Sequence, residues 1–201
     1  MSDRKTIGIL LFDNVEELDA VGPYEVLSYW TREHPEDGFD VVMMGDAPDA
    51  MTPIVAAKGL RMLADVSIAE TPDLEVLIYP GGRGTRPHLV DEERIDWVRE
   101  QRRRVPLMAS VCTGSLVYAA AGLLAARPAT THWGSLGLLA ELDPTIDIRR
   151  DARFVEDGDV ITSSGVSAGI DMALRLVQRF AGTDRAREVR RGIQYDPEPP
   201  V

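Results

Sequence analysis

One cysteine, Cys112, is all the thiol chemistry available to this 201-residue chain. That excludes an intramolecular disulfide and makes a reducing compartment, the cytoplasm, the expected setting. Histidine is almost as scarce. His34, His88 and His132 stand far apart, and no His/Cys/carboxylate grouping has metal-site spacing, so neither a metal nor any other cofactor is expected. Basic charge is short too: 22 Lys and Arg stand against 33 Asp and Glu, a formal net charge of -11. A nucleic-acid surface needs a basic excess, so no nucleic-acid partner is expected. The run Arg102-Arg103-Arg104 instead fits the end of a helix predicted from Asp91, where cations complement the helix dipole. No apolar run approaches the roughly 18 residues of a membrane span. The polar start Met1-Ser-Asp-Arg-Lys5 runs directly into a strand without the apolar core of a signal peptide, so neither a membrane partner nor export is expected.

What the chain does have is a regular succession of short apolar runs. Residues 7–12 form a continuous apolar run of strand length and 107–111 a short apolar run that reads as a buried strand, while 39–44 and 74–79 read as further strands. Residues 54–63 read as two short strands about the turn at Lys58-Gly59, and 147–149, 153–155 and 160–162 as further strands. Helical patterns lie between them. One runs from about Ala20 through Pro23, placed in its first turn, to His34, with Val26, Leu27 and Trp30 as its apolar face. Others run from Asp91 to Arg104, onward from Cys112, from about Ala168 to Phe180, and from about Asp184 to Ile193, where a Pro-rich end stops the last. This alternation predicts a single α/β domain over residues 1–201, an open, mostly parallel sheet sandwiched by helices.

Cys112 stands where a strand gives way to a helix. The run 107–111 ends at the cysteine, and Thr113-Gly114-Ser115 opens a stretch with apolar residues on every side. Such an elbow lifts the side chain out of the sheet towards free N–H groups, which favour a thiolate. Cys112 is therefore read as a nucleophile, the competing reading being a small buried hydrophobe. Asp19, flanked by Leu18 and Ala20-Val21, is expected to be desolvated with a raised pKa, as a general acid requires. The competing reading makes Asp19 the cap of a helix beginning near Ala20. Glu16, Glu17 and Glu25 read as solvated. The run Pro80-Gly81-Gly82-Arg83-Gly84 closes the strand at Tyr79 and lacks the pattern of a nucleotide-phosphate loop. Its Gly82 amide is read as stabilising an anion at the elbow if the two strands are neighbours, or else as part of an ordinary turn. His132 is read either as a base for the thiol or as a structural residue.

Five motifs in order carry a resemblance: Leu18-Asp19-x-x-Gly22-Pro23-x-Glu25-Val26, Pro80-Gly81-Gly82-x-Gly84, Ser110-Val111-Cys112-Thr113-Gly114-Ser115, Ala129-Thr-Thr-His132-Trp133 and Gly165-x-x-Ala168-Gly169-Ile-Asp171. Together they resemble the DJ-1/PfpI (ThiJ) superfamily over nearly the whole chain, and within it the isocyanide hydratases. The resemblance implies a flavodoxin-like, class I glutamine amidotransferase-like fold with a cysteine nucleophile elbow, a homodimer, and a small-molecule substrate handled without a cofactor. It implies Cys112 as nucleophile, Thr113 among the catalytic residues, and the amides of Gly82 and Thr113 as the anion-stabilising pocket. Gly81 and His132 are placed behind them. Asp19 falls where most of the superfamily has glutamate and the isocyanide hydratases have aspartate. The protease-like branch has histidine directly after the cysteine; Thr113 stands there, so that Cys-His pair is absent. The implied reaction converts an isocyanide to its N-substituted formamide through a Cys112 thioimidate, with Asp19 as general acid. Three alternatives remain open at this stage: a glyoxalase-type enzyme handling reactive aldehydes, a cysteine-oxidation sensor, and a ligand-binding domain of the kind fused to AraC-type DNA-binding helices.

Overall fold

The computed structural model describes residues 4–47 and 49–197. In chain order, β1 (Lys5–Leu11) leads to α1 (Glu17–Glu33) and β2 (Phe39–Gly45), and a hairpin of β3 (Ile54–Val55) and β4 (Arg61–Met62) precedes β5 (Val66–Ser67). β6 (Val76–Tyr79) is followed by α2 (Thr85–His88) and α3 (Glu92–Arg104), and β7 (Leu107–Val111) by α4 (Gly114–Ala120). After β8 (Pro128–Ala129), α5 (Leu136–Leu142) and β9 (Asp147–Ile148) come β10 (Phe154–Asp157), β11 (Val160–Ser163), α6 (Ala168–Ala181) and α7 (Thr183–Gly192). The main sheet has the order β10-β11-β7-β6-β1-β2-β5. All its pairs are parallel except that of the edge strand β10 with β11. This is the open, mostly parallel α/β architecture of the flavodoxin-like folds.

A parallel sheet must be covered on both faces, and strand alternation supplies a core to each. On one side Ile7, Ile9, Leu11, Ala109 and Val111 meet Val26, Leu27 and Trp30 of α1 and Met172 and Leu176 of α6. On the other, Leu10, Leu77, Tyr79 and Met108 meet Ile95 and Val98 of α3 and Leu116 and Val117 of α4. Each fully buried aliphatic side chain contributes about 1.5–3 kcal/mol.

The structure moves one boundary. α1 starts at Glu17 rather than near Ala20, so Pro23 lies inside the helix and not in its first turn. Lacking an N–H, Pro23 returns no hydrogen bond to the Asp19 carbonyl four residues back. Asp19 does not cap the helix: Glu16 occupies that position, and the Asp19 side chain turns towards the loop 80–84. α5 is absent from the sequence expectation; its signal is Leu136 and Leu139, buried three positions apart. The strand expected at 147–149 pairs only with β8, apart from the main sheet.

Topology gathers the functional loops. β6 and β7 are neighbours with Tyr79 opposite Ser110, so the segments leaving their carboxyl ends lie side by side. The loop after β1 joins them through an antiparallel bridge between Val15 and Gly82. Gly114 lets the elbow close on β6, since a Cβ there would lie 2.1 Å from the Tyr79 carbonyl oxygen. Gly114→Ala is therefore expected to lower the melting midpoint by about 10 °C, a few kcal/mol for a chain of this size. Differential scanning calorimetry checks this, and an unchanged midpoint would mean that the elbow tolerates a shift of β6.

Candidate active site

Cys112 occupies the left-handed region of backbone space, with φ of 56°, where non-glycine residues are uncommon. Its neighbours hold it there. The Cys112 N–H is shared between the carbonyls of Ser163 at 3.1 Å and Ser164 at 3.2 Å. The Cys112 carbonyl accepts from Thr131 Oγ1 at 2.8 Å and Ser115 Oγ at 3.0 Å. The residue is 5% exposed, and the backbone amides of Thr113 and Val166 pull its thiol pKa down. Val166 has φ of 51°, costly for a β-branched residue. It is the site residue that sequence reasoning misses, because Ser163-Ser-Gly-Val-Ser reads only as a helix entry and an inverted φ has no side-chain signature.

Asp19 is fully buried. Its Oδ2 accepts the Gly81 N–H at 2.9 Å, while Oδ1 has no hydrogen-bond partner. Gly81 is what lets acid and thiol share one volume. A Cβ at that position would lie 2.5 Å from Thr113 N, 2.7 Å from Asp19 Oδ2 and 2.8 Å from Cys112 Cβ. Burial pushes the Asp19 carboxyl up to about 7, outweighing the hydrogen bonds from Gly81 and Cys112 that favour the anion. Burial first, and then the Asp19 charge, push the Cys112 thiol up to about 12, against the pull of the Thr113 and Val166 amides. Burial thus opposes the thiolate that the helix start was expected to favour. α4 is only seven residues long, and desolvation beside a carboxylate outweighs what its first amides return. The two groups titrate as a coupled unit. Below about pH 7 both hold protons; above it they share one.

The other expected residues fall into different places. Gly82, at φ of 121°, donates its N–H to Thr113 Oγ1 at 2.9 Å. That amide is committed to Thr113, while the Thr113 and Val166 amides are the ones that lower the thiol pKa. Thr113 Oγ1 donates in turn to the Gly82 carbonyl at 3.2 Å and meets Thr85 Oγ1 at 3.2 Å, tying the elbow to the glycine loop. His132 accepts the Gly134 N–H on Nδ1 at 3.2 Å, packs against Trp133 and lies over Gly165. With Trp133, Arg150 and Val166 it lines a cleft of about 290 Å³ next to the elbow. The larger depression of about 940 Å³ lies between α6 and α7 and includes neither Cys112 nor Asp19. Among the described residues no group of three or more His, Cys, Asp and Glu side chains could hold a metal ion, and no helix is long and apolar enough to cross a membrane.

The model of the DJ-1/PfpI family matches residues 5–179. The chain belongs to the DJ-1/PfpI family. Among its relatives, isonitrile hydratase from Pseudomonas putida is 39% identical over 194 residues, 96% of this chain and 80% of that protein. The crystal structure of a ThiJ/PfpI family protein from Pseudomonas syringae superposes with a TM-score of 0.86 at 30% identity, covering 98% of this chain and 78% of that one. The HTH-type transcriptional regulator GbdR of Pseudomonas aeruginosa is 30% identical over 96% of this chain, which spans 51% of the regulator. This DJ-1/PfpI chain is thus similar both to an enzyme and to about half of a regulator.

The Asp19 titration has a consequence for stability. Its folded pKa of about 7 lies above the ordinary 3.8, so the folded state binds the proton more tightly. The contribution is complete below about pH 3.8 and is lost as the pH rises to 7, a change of up to about 4 kcal/mol. Asp19→Asn removes that titration. Its melting midpoint, measured against wild type by circular dichroism, is expected to gain several degrees between pH 5 and pH 8; a difference constant across that range would mean the carboxyl is not desolvated.

Proposed function

We propose that the protein hydrates an organic isocyanide, R–NC, to the N-substituted formamide, with Cys112 as nucleophile and Asp19 as proton carrier. The observation that carries this reading is the Asp19 carboxyl buried against Cys112 across Gly81, in a chain 39% identical to an isonitrile hydratase. The terminal carbon of an isocyanide accepts a nucleophile and then requires a proton at the same atom. A coupled thiol and carboxylate provide both. Asp19 takes the proton from Cys112 Sγ as sulfur bonds to the terminal carbon, and returns it to that carbon. The product is the thioimidate R–N=CH–S–Cys112.

Water then adds to the thioimidate carbon, its proton passing through Asp19 to nitrogen, to give R–NH–CH(OH)–S–Cys112. Breaking the C–S bond releases R–NH–CHO and restores the thiol, with water as the only co-reactant. The Thr113 and Val166 amides offset charge on sulfur as it attacks and leaves. Asp19 remains the acid towards the substrate. The high thiol pKa gives it a second task, accepting the thiol proton first. The setting proposed is a cytoplasmic, single-domain homodimer acting on a small molecule, with the exposed Leu18 and Val21 of α1 and the exposed Trp133 available to an interface.

Formamide release from an aryl isocyanide, followed by chromatography, tests the chemistry. Wild type is expected to form it, Cys112→Ala to form none, and Asp19→Asn to be slower by about 100-fold or more. Full activity in Cys112→Ala would remove the covalent scheme. kcat/KM is expected to rise with pH through about 7, as the doubly protonated pair loses its first proton, and then to level off. A profile falling through the same range would mean that Asp19 must be protonated in the free enzyme. Light scattering should give twice the 22.1 kDa chain mass.

A further inference from the structure

The β3–β4 hairpin is stitched to the loop that leads into α1. Asn14 N–H donates to the Val55 carbonyl at 2.8 Å, Val55 N–H to Asp13 Oδ1 at 3.0 Å, and Ala57 N–H to the Val15 carbonyl at 2.9 Å. At the hairpin turn, Lys58 N–H donates to Glu17 Oε1 at 2.6 Å. The Lys58 ammonium contacts both Glu16 Oε1 and Glu17 Oε2, the latter at 3.4 Å. The Glu16 and Glu17 side chains are only 19% and 17% exposed, so water screens them incompletely. They are not the freely solvated pair expected from the sequence. They stand three and two positions before Asp19, and the Glu16 N–H donates at 2.9 Å to the carbonyl of Gly81, the residue whose N–H holds the acid.

We propose that Lys58 is a positioning residue for the Asp19–Cys112 pair: clasped to Glu16 and Glu17, it cancels their charge beside the buried acid and so sets the pH at which the pair exchanges its protons. An ordinary exposed ion pair contributes little to stability, and Lys58 is itself 67% exposed at the side chain. Its effect is on the neighbouring carboxyl, which lies inside low dielectric where a nearby charge is felt more strongly. The charged and titratable groups acting on Asp19 are Cys112 from the elbow, Glu16 from its own helix entry and Lys58 from the hairpin; Glu16 favours the protonated carboxyl and Lys58 opposes it. The glycine loop contributes the Gly81 N–H, and its one cation, Arg83, is exposed. Without Lys58, Glu16 acts on the Asp19 carboxyl unopposed, and the pair holds its proton to higher pH.

The inference rests on Asp19 and Cys112 titrating together, and not on the substrate being an isocyanide. Its test is the rate of Cys112 alkylation by iodoacetamide as a function of pH, in the whole protein. The Lys58→Met profile is expected to move to higher pH by about half a unit or more. Lys58→Arg should overlay wild type, and Glu16→Gln should move the profile the other way. An overlay of Lys58→Met on wild type would overturn the proposal, as would an equal shift in Lys58→Arg, since charge would then not be the cause. A loss of melting temperature without a profile shift would assign Lys58 a merely structural clasp and also overturn it. The formamide assay on the same variants separates the two readings: no formamide from any of them removes the hydratase chemistry and leaves the alkylation result standing.

Discussion

A carboxyl group and a thiol occupy one dry volume, and the rest of the site is arranged to keep them there. Neither group is in its solution state: the acid holds its proton into neutral pH and the thiol holds its own far beyond. The Asp19 charge destabilises the Cys112 anion, and burial destabilises both. The protein offsets this with backbone amides, from Gly81 to the acid and from Thr113 and Val166 to the sulfur. Amides suit the task because they carry no counter-charge that would fix the proton on one partner. A lysine or arginine in their place would lock the carboxylate and end its ability to return a proton.

The backbone requirements follow from the same constraint. Two non-glycine residues at positive φ, Cys112 and Val166, turn their main chains so that a side chain and an N–H converge on one point. The loops that carry them are cross-braced by Thr131, Ser115, Ser163 and Ser164 through the Cys112 peptide groups. Strain at the nucleophile is thereby distributed over β7, β11 and the segment after β8, elements whose cores are already closed.

How much of this was legible in the sequence differs by residue. The strands at 7–12 and 107–111 were, because a parallel strand buried on both faces is a short apolar run, and those at 39–44 and 74–79 were from runs interrupted only by Asp40 and Glu75. The burial of Asp19 was expected from its apolar flanks, but Leu18 and Val21 are exposed and the carboxyl is buried because it turns onto the Gly81 amide instead. The thiol's shift was not, since an elbow read from sequence supplies helix amides but not the depth at which they sit. Gly82 shows the same limit: its position in the loop was clear, but whether its N–H points at an anion or at Thr113 is decided by a φ of 121°. Lys58 lies 42 positions from Glu16, and a contact between a turn and a helix entry leaves no periodic trace. α5 was hidden because its two buried leucines sit behind Trp133-Gly-Ser, which reads as loop.

The crowding about Gly81 also bears on how such a protein can diverge. Asp19, Cys112 and the Thr113 amide each lie within contact distance of where one Cβ would stand, so no single replacement at residue 81 leaves the other three in place. The reacting centre is closed to stepwise change. The hairpin and the cleft rim are open to it: Met51, Leu60, Leu63 and Trp133 face outward with room around them. New substrates on this frame would be reached more readily by remodelling that periphery than by altering residue 81, so that specificity can drift while the packing around the thiol is kept.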